Sequence, residues 1–300
     1  MNWSEFDGTS LPGAIRFLAE QSDGQSYAAD PDDAPIFVLS AGWRSGSTLV
    51  QRLIASDASV LMWGEPFEDY GIVHRLTQTI ELFGPGDAHL SNSIEHLQGA
   101  LSNQWIANLN PGAAALRSAH RAFFETLFSN PAKARGYRRW GCKTVRLNAN
   151  HAHYLRWVFP EAKFVFLIRH PLHSFASYRG RRWFYLRPGL QVRHSRQFLG
   201  HWQKLASSFL AQSAALGALV VRYEDLKAGN PTVDALGRYL GVRINYDVLT
   251  EKIGASADKR QPTNVWTRLV LGRQLGDLCD RLGYGLSGEV RDRAAGETAS

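Results

Sequence analysis

The residues Gly42-Trp-Arg44-Ser45-Gly46-Ser47-Thr48 form the first group in the chain whose types and spacing suit chemistry. Two glycines let a backbone wrap closely around an anion, and the free N–H groups of a following helix would point at it. Arg44 adds a fixed positive charge, and Ser47 and Thr48 add hydroxyl donors. The pattern is not a Walker A loop, which needs four residues between its glycines and then lysine. Here three residues separate Gly42 from Gly46, and Ser47 follows. Ordinary ATP or GTP chemistry is therefore not expected. Alone, the segment could also be a plain capped turn between a strand and a helix.

A second group lies further on. Arg169 follows the apolar run Lys163–Ile168, and Ser177 comes eight residues after it, two turns into the helix that Pro171 is suited to begin. A cation at a strand end and a hydroxyl from the adjoining helix could clamp a second anionic group. Together the two groups suggest a ligand with two separated anionic ends.

These residues need a scaffold, and the hydrophobic pattern predicts one. Short apolar runs at Ile36–Ser40, Trp140–Val145, Lys163–Ile168 and Leu219–Arg222 read as strands. Helical spacing follows the first loop at Leu49, Leu53 and Ile54. It recurs through 88–130 (Ile94, Leu97, Leu101, Trp105, then Leu116, Phe123, Phe124, Leu127, Phe128) and over His151–Phe159, 171–180, His194–Leu216, 231–240 and 272–282. Strands alternating with helices define an α/β fold with a mostly parallel sheet, whose ligands sit at the carboxyl ends of the strands. The four strands end at Ser40 before Arg44, at Cys142 before Lys143, at Ile168 before Arg169, and at Val221 before Arg222. Residues 1–34 are expected to form an amphipathic arm, 286–300 a polar flexible tail, and the whole of 1–300 one domain.

Composition narrows the function classes. The 300 residues are 44% hydrophobic and 20% charged, which supplies a core and excludes intrinsic disorder. Cys142 and Cys279 are too few and too far apart for a disulfide framework or a structural zinc site. The longest uninterrupted apolar-or-glycine run is the eight residues Ala214–Val221, whereas a membrane span needs roughly twenty. The polar start has no apolar run behind it, so a soluble cytoplasmic protein is expected. The net charge of +7 rests on arginine, since only seven of the 34 basic residues are lysine. Guanidinium suits planar binding of phosphate, sulfate or carboxylate. Six arginines cluster between Arg179 and Arg196 among Trp183, Phe184 and Tyr185, as either a solvated face or an anion-facing one. No zinc-finger spacing, RNP-type aromatic motif or lysine-rich arm points to nucleic acid.

Three segments in order carry a resemblance to a known family. RSGSTL at 44–49 resembles the 5′-phosphosulfate loop of sulfotransferases that use 3′-phosphoadenosine 5′-phosphosulfate (PAPS). FLIRHPLHSFASY at 166–178 resembles their 3′-phosphate motif, and VVRYEDL at 220–226 is similar to a further segment of theirs. The likeness covers about residues 35–285, and its Arg-Ser-Gly form is closer to the tyrosylprotein and carbohydrate branch than to the cytosolic steroid and phenol branch. It implies a P-loop-type three-layer α/β fold. It further implies that Arg44, Ser45, Gly46, Ser47, Thr48 and Leu49 hold the 5′-phosphosulfate. Arg169 and Ser177 would hold the 3′-phosphate, with Tyr223 near the donor. Glu65, in WGEPF, falls where that branch places a catalytic carboxylate, and Lys143 where a lysine stabilises the transferring group. Lys259-Arg-Gln-Pro-Thr-Asn-Val-Trp266 is similar to a loop that closes over the donor. His170 stands where aspartate is common. The catalytic histidine of the cytosolic branch is missing, which leaves Glu65 as the base, with His151 or His153 in reserve.

The resemblance thus implies transfer of a sulfuryl group from PAPS to a hydroxyl of a glycan or small natural product, without a metal. Arg44 joins Glu65 and Lys143 as catalytic, and residues 67–130 and 179–200 are expected to position the acceptor. Two other classes stay open. A P-loop small-molecule kinase would need a Walker lysine and Mg²⁺-binding acids, neither of which is recognisable. A non-catalytic protein that binds 3′-phosphoadenosine nucleotides would need Arg44, Arg169 and Ser177 but neither Glu65 nor Lys143.

Overall fold

The computed structural model describes residues 8, 10–21, 33–67, 71–85, 93–180, 192, 194–228, 230–250, 265–285 and 287–291. Its centre is a five-stranded sheet. The strands are β1 (Ile36–Ser40), β2 (Val60–Trp63), β3 (Arg139–Thr144), β4 (Lys163–Ile168) and β5 (Leu219–Arg222), in the order β2-β3-β1-β4-β5. All four pairings are parallel. Parallel strands require crossover connections, and helices supply them: α1 (Leu11–Gln21) leads in, α2 (Ser47–Ala55) follows β1, and α3 (Ile72–Gln78) and α4 (Ala113–Phe124) lie between β2 and β3. After a π turn, a short α5 (Asn130–Lys133) runs to β3. Then come α6 (Ala149–Val158), α7 (Pro171–Gly180), α8 (Ser195–Gln212), α9 (Tyr223–Ala228), α10 (Asn230–Leu240) and α11 (Val265–Arg281).

Side-chain alternation along β1 divides the interior in two. Phe37 and Leu39 point into the larger core, which α1, α4, α6, α7, α8 and α11 cover. Ile36 and Val38 point into a smaller one under α2 and α10. All five residues of β1 are buried, as expected of a strand covered on both faces. The expected three layers with a parallel sheet are thus present.

Boundaries moved modestly, and two expectations fail. The predicted strand Trp140–Val145 lies one residue earlier, and the helix predicted over His194–Leu216 is Ser195–Gln212. The helical reading of the stretch around Ile94–Trp105 does not hold. Only single 3₁₀ turns occur, at Ile94–His96 and Leu101–Asn103, and Ile94, Leu101 and Trp105 are exposed. Helical spacing of apolar residues produces a helix when tertiary packing covers the stripe, and among the described residues Ile94, Leu101 and Trp105 are left uncovered. Second, Arg222 is no ligand-facing cation. It is 3% exposed, pairs with Asp225 through two bonds and donates to the Leu282 and Arg291 carbonyls. It ties together Leu282 and Arg291, on either side of the bridge between Tyr284 and Val290. The cluster from 181 to 191 and the 259–264 part of the predicted closing loop lie outside the described residues.

Candidate active site

The carboxyl ends of β1, β4 and β5 are neighbours in the sheet, and the residues following them interlock. After β1 the chain turns at Gly42 (φ 83°) and again at Gly46 (φ 89°), both in the left-handed region that glycine adopts freely. Arg44 is left-handed too, at φ 60°, a conformation that costs a side-chain-bearing residue. Its carbonyl accepts a hydrogen bond from Arg169 Nη1 at 2.8 Å, which holds the turn. Its own Nε donates to Ser177 Oγ at 3.1 Å. The Arg169 guanidinium in turn lies 4.5 Å over the ring of Tyr223. That ring covers Gly46 so closely that a Cβ there would sit 2.1 Å from Tyr223 Cδ2. Glycine is required at 46 for its backbone angle and for space.

Arg44, Gly46, Arg169, Ser177 and Tyr223, predicted from three separate segments, therefore meet in one place. Gly46 is the N-cap of α2 and gives no side-chain cap, so the first N–H groups of α2 have no partner within the helix. Ser45 Oγ and Arg169 Nε are buried without a hydrogen-bond partner. Buried donors of this kind are costly unless something answers them, and an anion with several oxygens would do so. Ser47 is buried and Thr48 exposed at the same helix start. Leu49 packs its side chain toward the smaller core and contributes backbone alone. The residues present fit a phosphate-bearing nucleotide.

The other predicted pair sits on the opposite side of β1. Strand β2 runs parallel to β3 with Trp63 beside Cys142. Glu65 therefore leaves the end of β2 close to Lys143, whose backbone N–H donates to the Gly64 carbonyl at 3.1 Å. The Lys143 ammonium donates to Glu65 Oε1, and the two form an ion pair. The lysine side chain is 9% exposed and the carboxylate 29%, so this pair is partly shielded from water.

The reserve histidines are placed otherwise. His151 is 1% exposed, and both its backbone N–H and its ring Nδ1 meet Asn148 Oδ1, closing the N-terminus of α6. Burial pushes its pKa well down, and the nearby His74 ring adds to this. His153 meets Gln212 Oε1 at 3.2 Å. His170 proves to be a helix cap: its Nδ1 accepts from the Leu172 N–H and its Nε2 donates to the Gly285 carbonyl. An aspartate would cap α7 in the same way, which explains why histidine serves there.

Sequence reading missed the residues that brace the loop. Trp43 lies 4.8 Å from the His201 ring, 5.8 Å from the Tyr178 ring and 5.8 Å under the Arg146 guanidinium. A tryptophan inside a glycine-rich turn was the available signal.

The fold and this arrangement define a P-loop-type α/β protein with a glycine-bearing turn at the end of its central strand. The sequence model described as "Sulfotransferase family" matches residues 35–246, and the chain belongs to that family. No curated protein matches. Among solved structures, the sulfotransferase domain of the Synechococcus PCC 7002 olefin synthase is 19% identical, with a TM-score of 0.44, covering 79% of this chain and 84% of that one. The sulfotransferase domain from the curacin biosynthetic pathway is also 19% identical, at 0.45, covering 78% and 81%. Sulfotransferase STF9 from Mycobacterium avium is 12% identical, at 0.43, covering 93% and 85%.

Proposed function

We propose that the chain transfers the sulfuryl group of PAPS to an acceptor hydroxyl. The observation that carries this reading is the joining of the two groups. Arg44 of the turn contacts both Arg169 and Ser177 of the second motif directly, which brings the two anion-suited groups within reach of a single ligand with two phosphates. Under this reading PAPS supplies an activated sulfuryl group on a good phosphate leaving group. The α2 N–H groups, Ser45, Ser47 and Thr48 hold its 5′ end, with Leu49 contributing through its backbone. Arg169 and Ser177 hold its 3′-phosphate, and Tyr223 fixes the floor beneath Gly46.

Glu65 receives the acceptor's proton as the hydroxyl oxygen bonds to sulfur. General-base help of this kind contributes about 10²–10⁴ in rate. Lys143 and Arg44 stabilise the negative charge that develops on the transferring and leaving oxygens, where one such donor is commonly worth about 10²–10³. The Lys143–Glu65 ion pair supports this division, since a carboxylate and an ammonium meet beside the central strand. The test is thermal melting with 3′-phosphoadenosine 5′-phosphate (PAP). PAP should raise Tm far more than AMP, because a ligand at a hundredfold excess over its Kd stabilises by about 2.7 kcal/mol. Equal shifts with PAP and AMP would remove the 3′-phosphate role of Arg169 and Ser177.

A further inference from the structure

A pocket opens beside the Lys143–Glu65 pair. Lys143 lines it, as does Pro66, the residue after Glu65. From there it runs inward between β1, α4 and α6 into the larger core. Its inner walls are carbon: Phe37, Phe124, Leu147 and Leu155, each less than 5% exposed, with Val73 from α3 along one side. Among the described lining residues, the polar groups are Lys143 and Thr144 at the end of β3 and His74 on α3, whose ring lies 4.6 Å from that of His151. His74 is buried, and burial holds its ring neutral with a pKa of about 4, so it adds no charge to the wall.

Such a wall discriminates by chemistry. A hydrocarbon chain entering it would leave water at no cost in hydrogen bonds. A sugar would bury most of its hydroxyls against carbon, with His74, Thr144 and Lys143 the polar side chains among the described lining residues, and each hydroxyl left unanswered would count against binding.

We infer that the acceptor is an apolar alcohol, with its hydroxyl at the Lys143–Glu65 pair and its hydrocarbon portion in the pocket lined by Phe37, Val73, Phe124, Leu147 and Leu155. This rests on the proposed sulfuryl transfer and names the acceptor class for it. In the transfer the alcohol oxygen forms the bond to sulfur, and the bond from sulfur to the bridging phosphate oxygen breaks. The electron pair leaves with PAP, and the alcohol's proton passes to the Glu65 carboxylate. The product is an alkyl sulfate.

The pocket contains its own reporter. Cys142 lines it and is part-exposed, while Cys279 is fully buried in the core. The experiment uses the full chain saturated with PAP and compares 1-decanol with lactose. Decanol should bind at least tenfold more tightly than lactose and slow N-ethylmaleimide alkylation of Cys142, while lactose leaves that rate unchanged. Val73→Phe should weaken decanol binding at least tenfold with the PAP-induced Tm shift retained. Lactose binding as tightly as decanol in the unmodified protein would overturn the inference, whatever the variant does. So would decanol binding that leaves Cys142 alkylation unaffected. PAP affinity is titrated first, so failure of the donor reading shows before any acceptor is added. Failure of the acceptor reading alone shows as PAP bound with decanol rejected.

Discussion

Arg44 Nε donates to Ser177 Oγ at 3.1 Å, so a residue from the turn after β1 and one from α7 share a hydrogen bond across 133 positions of sequence. The two proposed anion clamps are thereby joined, and under that reading the 5′ and 3′ ends of a nucleotide would be sensed together. Residues in direct contact commonly couple by about 0.5–3 kcal/mol. We expect the PAP-binding losses of Arg44→Ala and Ser177→Ala to be non-additive by that order. Isothermal titration of the two single variants and the double variant checks it, and strict additivity would mean the bond has no part in binding.

Arg169→Ala should chiefly raise KM for PAPS and weaken PAP, because it removes contact with a phosphate that does not react. Its guanidinium also steadies the Arg44 carbonyl and covers Tyr223. A smaller loss in kcat is therefore expected as the turn loosens. Steady-state kinetics separate the two effects.

Gly46→Ala should abolish PAP binding and lower Tm. The new methyl meets the Tyr223 ring at 2.1 Å in a left-handed backbone conformation, where strain costs about 1–3 kcal/mol. Adding Tyr223→Ala should recover part of the stability by making room, while the backbone strain persists. Full recovery would show that the backbone angle was unimportant.

Acid should destabilise the fold well before its carboxylates are titrated. His74, His170 and His201 are each held at about pKa 4, in every case first because burial disfavours the charged ring. The unfolded chain protonates them near 6.5. Between about pH 6.5 and 4 it therefore takes up protons that the folded chain refuses, so stability is present above that window and falls as pH drops through it. At His170 a shift of this size corresponds to roughly 3 kcal/mol. Melting curves from pH 8 to 4 should show the loss, and His170→Asn, which keeps a capping side chain, should make the slope shallower.

The order β2-β3-β1-β4-β5 explains what the sequence made legible and what it hid. β1, β4 and β5 are mostly apolar runs that end at or just before chemically distinctive side chains, so the proposed phosphate clamp could be assembled on paper. β2 is four residues, Val60–Trp63, with alternate burial at the sheet edge, and nothing in so short a run separates it from a loop. Without it, the meeting of Glu65 and Lys143 had no geometric basis in the sequence and rested on family resemblance. It follows from the parallel register that sets Trp63 beside Cys142. His170 shows the reverse difficulty. Its capping of α7 depends on a ring nitrogen meeting the Leu172 N–H, a contact that residue type does not announce. The apolar spacing around Ile94–Trp105 misled because periodicity says nothing about whether a partner surface exists.

The most direct measurement is transfer of labelled sulfuryl from PAPS to an alcohol by the unmodified protein and by Glu65→Gln and Lys143→Ala. Label should appear in the alcohol with the unmodified protein. Glu65→Gln should cut kcat by about 10²–10⁴ and Lys143→Ala by about 10²–10³, with PAP binding and Tm shift retained in both. If the unmodified protein binds PAP yet moves no label to alcohols or sugars, the account is contradicted and the chain is a nucleotide-binding protein without turnover.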